Sequence, residues 1–282
     1  MLRYPRCLMA PRKPNSDGAW WDATWNTMGG CRPISAGCVN CYAARDAGTL
    51  QASLDDPLYR DTTEFKGGRY TFNGSLRERP REHPGWTFPL RWKGAARPLL
   101  GEGMPSLIFV GDMAEIFLPG RSEAVIDRTL GTLASSNHIG LVLTKLPERM
   151  AEYLLAQPTI TQQQLRQRLW VGFSAEDQAN FDLRWAKMRA LSGWTIFVSI
   201  APMIGPVRLP DDFLALGKWV IVSGEQGPYC RPMSAQWARA LRDQCASGVA
   251  FFMKQLGMKR PIPPDLPIRQ FPAIAERERA AD

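Results

Sequence analysis

From residue 107 onward the chain alternates short, wholly apolar runs with longer stretches of mixed polarity. The runs are Leu107–Gly111, Ile139–Thr144, Leu169–Phe173, Trp194–Ser199, Trp219–Gly224 and Val249–Met253, and their starts lie 32, 30, 25, 25 and 30 residues apart. Each is five or six residues long and rich in Val, Ile and aromatic side chains. None shows the apolar–polar alternation of a half-exposed strand, so they read as strands buried on both faces. Between them the apolar positions return at helical spacing. Arg121–Ser136 sets Val125, Ile126, Leu130 and Leu133 on one side. Pro147 opens a second helix from the first-turn position that proline tolerates. Ser234 is placed to cap a third, in which Trp237, Leu241 and Cys245 fall at i, i+4 and i+8. A βα unit repeated this often predicts an α/β fold with a parallel sheet. With a further strand around Asp22–Asn26, the count of six or seven suits an incomplete parallel (β/α) barrel. An open, doubly wound sheet is the alternative.

This rhythm divides the chain into an N-terminal extension (1–19), a single barrel domain (20–258) and a proline-rich strap or tail (259–282). Residues 60–97 interrupt it. They carry nine Lys or Arg against four Asp or Glu, a local excess of five in a chain whose net charge is +8. Phe65, Tyr70, Phe72, Trp86, Phe88 and Trp92 are interleaved with those charges. Cations for phosphates and aromatics for unstacked bases are the means of nucleic-acid contact. The other reading is a capping loop with its aromatics packed inward. Hydrophobic residues make up 45% of the chain, which excludes a disordered or fibrous protein. The absence of a long apolar run excludes a membrane span, and the start has no apolar core for a secretory signal. The expected compartment is the cytoplasm.

Polar residues gather where the apolar runs end. Asp112 follows the first, Thr144 and Lys145 the second, and Ser174, Glu176 and Asp177 the third. Ser199 ends the fourth, Ser223 and Glu225 the fifth, and Lys254 and Gln255 the sixth. In barrels the chemistry sits at this C-terminal mouth. Helix capping is the competing explanation for any one of them.

The densest chemical signal is WNTMGGCRPISAGCVNCYAARDAG, in which Cys31, Cys38 and Cys41 have the spacing C-x6-C-x2-C. Three thiolates from one loop can hold three irons of a [4Fe–4S] cluster and leave the fourth iron without a protein ligand. Zinc is the alternative, and it requires a fourth ligand. Cys7, Cys230, Cys245, His83 and His138 are the other Cys and His residues of the chain. Cys245 reads as helix core, whereas Cys230 follows the Glu225 strand end and is the fourth-ligand candidate.

The same segment resembles the signature of a phage and prophage family of radical S-adenosylmethionine-like proteins with a three-cysteine motif. Further blocks resemble that family in the same order: Pro89–Lys93, Phe109–Phe117, Leu143–Met150, Val171–Gln178, Ile204–Val207, Val220–Met233 and Phe251–Gly257. Two departures stand out. The usual radical enzyme loop is C-x3-C-x2-C with an aromatic before the last cysteine; here the first gap is six, which is typical of the resembled family, and Asn40 occupies the aromatic position, with Tyr42 after the cysteine. Ala201 stands where the family commonly has an acid.

The resemblance implies a radical enzyme whose cofactors are a [4Fe–4S] cluster on Cys31, Cys38 and Cys41 and S-adenosylmethionine. Cleavage of the sulfonium by one electron would yield a 5′-deoxyadenosyl radical that abstracts hydrogen from an unreactive carbon. On this reading Asp112 meets the cofactor's ammonium, and Ser174, Glu176, Asp177 and Ser199 meet the rest of it. Lys145, Glu225 and Lys254 then act on cofactor or substrate. The expected partners are an electron donor and a nucleic acid or nucleotide, with rearrangement of a modified thymine in phage DNA as one concrete case. A base in duplex DNA would have to be flipped out for this. Two competing readings are a nucleic-acid-binding protein stabilised by zinc or a cluster, and a phosphate-handling barrel. The second of these has only the two-glycine turn Ser223–Gly227 to cradle an anion.

Overall fold

The structure, a computed structural model, describes residues 18–54, 56–246 and 248–274. Cys7 and nearly all of the 1–19 extension lie outside the described residues. Seven parallel strands alternate with helices in a single sheet, an incomplete (β/α) barrel, whose neighbours in space are Ala23–Trp25, Leu107–Val110, Ile139–Thr144, Leu169–Ser174, Thr195–Ile200, Gly217–Ser223 and Ala250–Gln255, in that order. The chain divides into two compact units, one formed by residues 21–142 and the other by residues 18–20 and 143–274.

The first unit opens with β1 (Ala23–Trp25) and the two-residue β2 (Met28–Gly29). The cysteine loop follows, and then α1 (Tyr42–Leu54). A hairpin of β3 (Thr63–Lys66) and β4 (Arg69–Phe72) comes next, and β5 (Arg77–Glu78) returns to pair antiparallel with β2. A short turn at Pro84–Thr87 and α2 (Phe88–Arg91) lead to β6 (Leu107–Val110), which is buried throughout and pairs with β1. The side chain of Asp22 fixes that pairing, because its carboxylate accepts from the backbone N–H of Leu107 (2.8 Å) and of Leu99 (3.1 Å). Helix α3 (Glu123–Ala134) buries Ile126, Leu130 and Leu133 and delivers the chain to β7 (Ile139–Thr144), at whose end the second unit begins.

The second unit continues with α4 (Pro147–Ala156) and α5 (Thr159–Arg168), then β8 (Leu169–Ser174), α6 (Gln178–Met188) and β9 (Thr195–Ile200). Helix α7 (Asp211–Leu216), β10 (Gly217–Ser223), α8 (Ala235–Cys245) and β11 (Ala250–Gln255) complete it. Pro147 stands in the first turn of α4, and Ser234 caps α8 by accepting from the Gln236 N–H. The buried stripe of α8 is Ala238, Leu241 and Cys245, with Trp237 at its margin. Trp219 lies wholly buried among Trp20, Trp170, Phe197 and Phe252, with ring centroids 5.8–5.9 Å apart. Burying such rings stabilises this unit through the apolar area removed from water and the edge-on ring contacts. Residues 268–270 run antiparallel beside β11: Met253 donates to the Ile268 carbonyl (2.8 Å) and Gln270 to that of Phe251 (3.0 Å). Among the described residues no helix is long and apolar enough to cross a membrane.

Candidate functional site

Backbone constraints on its upstream side set the course of the cysteine loop. Gly29 ends β2, and Gly30 follows with φ +89°. A Cβ at Gly29 would fall 2.0 Å from the Leu58 carbonyl oxygen, and one at Gly30 would fall 1.9 Å from that of Ser75, so only glycine admits the chain. Arg121, itself 2% exposed, reaches into the same turn. Its Nη2 donates to the carbonyls of Gly29 (3.1 Å), Gly30 (3.3 Å) and Glu115 (3.3 Å), and its Nη1 to that of Arg77 (3.1 Å). One buried cation thereby serves carbonyls at the entrance of the loop. Cys31 emerges directly from this clamp.

Beyond it, a tight turn at Ala36–Cys38 brings the Ile34 N–H to 3.5 Å from Cys38 Sγ. Cys41 immediately precedes α1. Cys31 and Cys41 pack against an apolar cluster of Ala43, Ala44, Ala47, Leu58, Tyr59, Phe72 and Met113. All three cysteines are partly exposed and none is in a disulfide. Burial and the negative charges of Glu115, Cys41 and Cys38 push the Cys31 thiol well up. Cys31 thus feels the charge of both other cysteines, and a cation beside it would reverse that penalty.

Asp112 is delivered to this loop by a turn at Gly111 (φ +68°) after β6. Asn26, just past β1, donates from Nδ2 to Asp112 Oδ1 (2.6 Å). Tyr42, next to Cys41, donates its phenol to the Asp112 carbonyl (2.9 Å). Arg79 supports Asn26 by donating from Nε to its carbonyl (2.7 Å). Tyr59 is wholly buried; burial and the nearby charge of Asp112 push its phenol up, with Arg79 opposing. The structure therefore brings Asp112 to the cysteines. It adds Asn26, which lies within the cysteine segment but was given no role there, and Tyr59, Arg79 and Arg121, which no motif marked; the Asn26–Asp112 and Arg79–Asn26 contacts join residues 86 and 53 positions apart.

In the second unit, Ser174 and Ser199 are register partners at the C-terminal ends of β8 and β9, and both are buried. Glu176 and Lys145 come together, but the carboxylate is enclosed. Glu176 has no exposed surface, and its Oε2 accepts from Arg184 Nη1 (2.8 Å) and Lys145 Nζ (3.5 Å). Arg184 Nη1 also donates to the Ser174 carbonyl (2.8 Å). Asp177 is the N-cap of α6, accepting from the backbone N–H (2.9 Å) and Nδ2 (2.8 Å) of Asn180. The capping role foreseen for one of these strand-end residues thus falls to Asp177.

Glu225 is 5% exposed and forked by Arg231, whose N–H (2.8 Å) and Nε (3.0 Å) donate to Oε2 while Nη2 donates to Oε1. The conspicuous segment from Glu225 to Arg231 is therefore a loop closed on itself by a bidentate ion pair. Gly224 is required because a Cβ there would lie 1.9 Å from the Leu256 carbonyl oxygen. Lys254 is half-buried near the end of β11.

Cys230 is partly exposed on the closed loop, whereas Cys245 is buried in α8. Burial pushes the Cys245 thiol up to about 12. Iodoacetamide at pH 8 is therefore expected to alkylate Cys230 and spare Cys245 in the folded protein, read by peptide mass spectrometry. Equal labelling of the two would show that α8 opens. Among the described residues no three His, Cys, Asp or Glu side chains group as ligands of one metal ion.

The aromatics of residues 60–97 separate into two kinds. Phe72, Trp86 and Phe88 are buried, and Trp92 stacks on Phe88 at 5.4 Å. Arg128 covers the Trp86 ring at 4.2 Å, a cation–π contact. These are packing residues of the first unit. Phe65 alone among the six is strongly exposed.

Residues 15–271 match the family described as "Protein of unknown function (DUF5131)". No curated protein matches the chain in sequence. A solved structure of a spore photoproduct lyase variant with bound AdoMet and dinucleoside spore photoproduct is similar, with a TM-score of 0.46 at 10% identity. The similarity covers 84% of this chain and 63% of that one, so the chain spans less than two thirds of the length of that protein.

Proposed function

We propose that this chain, which belongs to the DUF5131 family of proteins of unknown function, is a radical S-adenosylmethionine enzyme in which Cys31, Cys38 and Cys41 hold a [4Fe–4S] cluster. The observation that carries this reading is the placement of three cysteines on one short loop between β2 and α1, with Cys31 and Cys41 against one apolar wall. The donor set fits the group. Three cysteines satisfy three irons and leave one open. A single zinc ion instead draws its thiolates to about 2.3 Å from one centre, whereas a four-iron cluster gives each thiolate its own iron and spreads them. The apolar residues behind Cys31 and Cys41 supply a dry wall, and the Arg121 clamp fixes where Cys31 starts.

When bound, the cluster would supply the electron that cleaves S-adenosylmethionine to the 5′-deoxyadenosyl radical. Asp112, oriented through Oδ1 by Asn26, contributes negative charge beside Tyr42 for the cofactor's ammonium. In the second unit Glu176 and Asp177 hold Lys145, Arg184 and the start of α6 in place, beside the buried hydroxyls of Ser174 and Ser199. Lys145 and Lys254 are the cations assigned to the substrate. Glu225 acts through Arg231, which the fork presents half-exposed. The net charge of +8 and the basic excess of residues 60–97 favour a nucleic-acid base or nucleotide as substrate, rearrangement of a modified thymine being one such reaction. An external electron donor completes the scheme.

The test is anaerobic reconstitution with iron and sulfide, followed by metal analysis and EPR of the reduced protein with and without S-adenosylmethionine. The expected result is about four irons per chain and a signal that the cofactor perturbs. One zinc per chain and no effect of the cofactor would overturn the proposal and leave a zinc-stabilised binding protein.

A further inference from the structure

The β3–β4 hairpin carries side chains that its own packing does not explain. Phe65 and Tyr70 are cross-strand partners, and Lys66 and Arg69 are the next pair toward the turn. Gly67 (φ +58°) and Gly68 (φ +77°) make a two-residue turn with both central residues in the left-handed region, as a tight hairpin of this hand requires. Tyr70 is seated against α1, where a Cβ on Gly48 would overlap its ring. Phe65 meets Tyr70 edge-on at 5.1 Å yet remains 66% exposed. Two cations directly opposite each other across a hairpin repel and weaken the pairing. Here they stand beside an exposed aromatic, at the outermost pair of the hairpin. Arg69 is partly drawn aside, since its Nη1 donates to Asn40 Oδ1 (2.7 Å), and Asn40 is the residue before Cys41.

We infer that this hairpin tip is a contact for unpaired nucleic acid, single-stranded or flipped from a duplex. The Phe65 ring takes the face of a base, and Lys66 takes a backbone phosphate. Stacking on an exposed aromatic accepts any base, because every base has a π-face. A phosphate near Lys66 and Arg69 also relieves the repulsion between them. The tie from Arg69 to Asn40 makes the contact continuous with the cysteine loop. The inference rests on the proposed nucleic-acid substrate and narrows it from residues 60–97 to the hairpin, because Phe72, Trp86 and Phe88 are committed to the core.

The experiment is fluorescence anisotropy of a labelled oligothymidylate of about twelve nucleotides with the full-length chain, over a series of salt concentrations. Phe65→Ala is expected to weaken binding by about 5- to 100-fold with an unchanged salt slope. Phe65→Trp should keep the affinity and report the base by quenching. Lys66→Gln should lower the slope by about 0.7, the share of one phosphate on a single strand. Equal affinity of Phe65→Ala and the unsubstituted chain would overturn the inference, and would point this surface toward another partner, such as an acidic protein. Because Phe65 is exposed, its substitution does not threaten folding, and circular dichroism checks this. Binding is read on the metal-free protein, so a failure to load iron leaves this result standing. An unaffected Phe65→Ala variant in turn leaves the cluster proposal untouched.

Discussion

Single replacement of Cys31, Cys38 or Cys41 by Ala is expected to reduce reconstituted iron from about four per chain to fewer than one. On the proposed ligation each thiolate would hold one iron, and with one iron already lacking a protein ligand, a second loss would leave half the cluster unsupported. Cys230→Ala and Cys245→Ala are expected to keep the iron. Cys230 lies on the loop closed by Glu225 and Arg231, and Cys245 serves the core of α8. Cys7→Ala should also retain it. Iron and sulfide assays with the visible spectrum check the loading, and circular dichroism checks the fold. The comparison is informative because the effects separate by chemistry. Cys245→Ala removes a buried sulfur and lowers stability by about 1–2 kcal/mol without touching a ligand. Loss of iron in Cys245→Ala with the fold intact would show that the ligand assignment is wrong. Retention of iron in any of the three loop variants would show the same.

The sequence made the sheet readable because the strands are buried on both faces, which leaves short apolar runs that no helix of useful length imitates. Ile139–Thr144 is the whole of β7, and β10 begins only two residues before the Trp219 run, at Gly217. Pro147 and Ser234 marked helix starts because first-turn proline and serine capping act over a few residues. The cysteine spacing was legible for a similar reason, since residues that share one loop are close in sequence. The roles of the strand-end acids were not legible. Glu176 and Asp177 are neighbours, yet one is sealed by Arg184 and the other caps a helix, and the difference depends on which way α6 turns its Arg184. Arg121 escaped notice because its partners are backbone carbonyls, which leave no trace in a sequence. The aromatics of residues 60–97 could not be sorted either. Trp86 is buried under Arg128 and Phe72 packs with the residues behind Cys31 and Cys41, while Phe65 faces solvent, and only tertiary neighbours decide between these fates.

Arg184→Met is expected to lower the stability of the protein by about 3–5 kcal/mol, because breaking a buried ion pair leaves its partner charge desolvated without compensation. Glu176 has no exposed surface, and Arg184 is 4% exposed at the side chain. Removing the guanidinium also takes the donor from the Ser174 carbonyl. Lys145 remains at 3.5 Å, with 18% of its side chain exposed, and places the expected loss toward the lower end of that range. Arg231 feels the Glu176 charge as well. Thermal unfolding of the metal-free chain measures the effect, and for a protein of this size each kcal/mol lowers Tm by about 2–4 °C. Removing both partners, in Glu176→Leu with Arg184→Met, should recover most of the loss, because apolar side chains of similar volume replace a buried pair at little cost. Asp177→Ala, by contrast, should cost only about 1 kcal/mol, the value of an N-cap. A double variant that regains stability but binds S-adenosylmethionine as well as the unsubstituted chain would confine Glu176 to holding Lys145 and α6. A loss below about 1 kcal/mol in Arg184→Met would mean that the carboxylate is not committed to Arg184, and would return Glu176 to the set of residues that meet the cofactor.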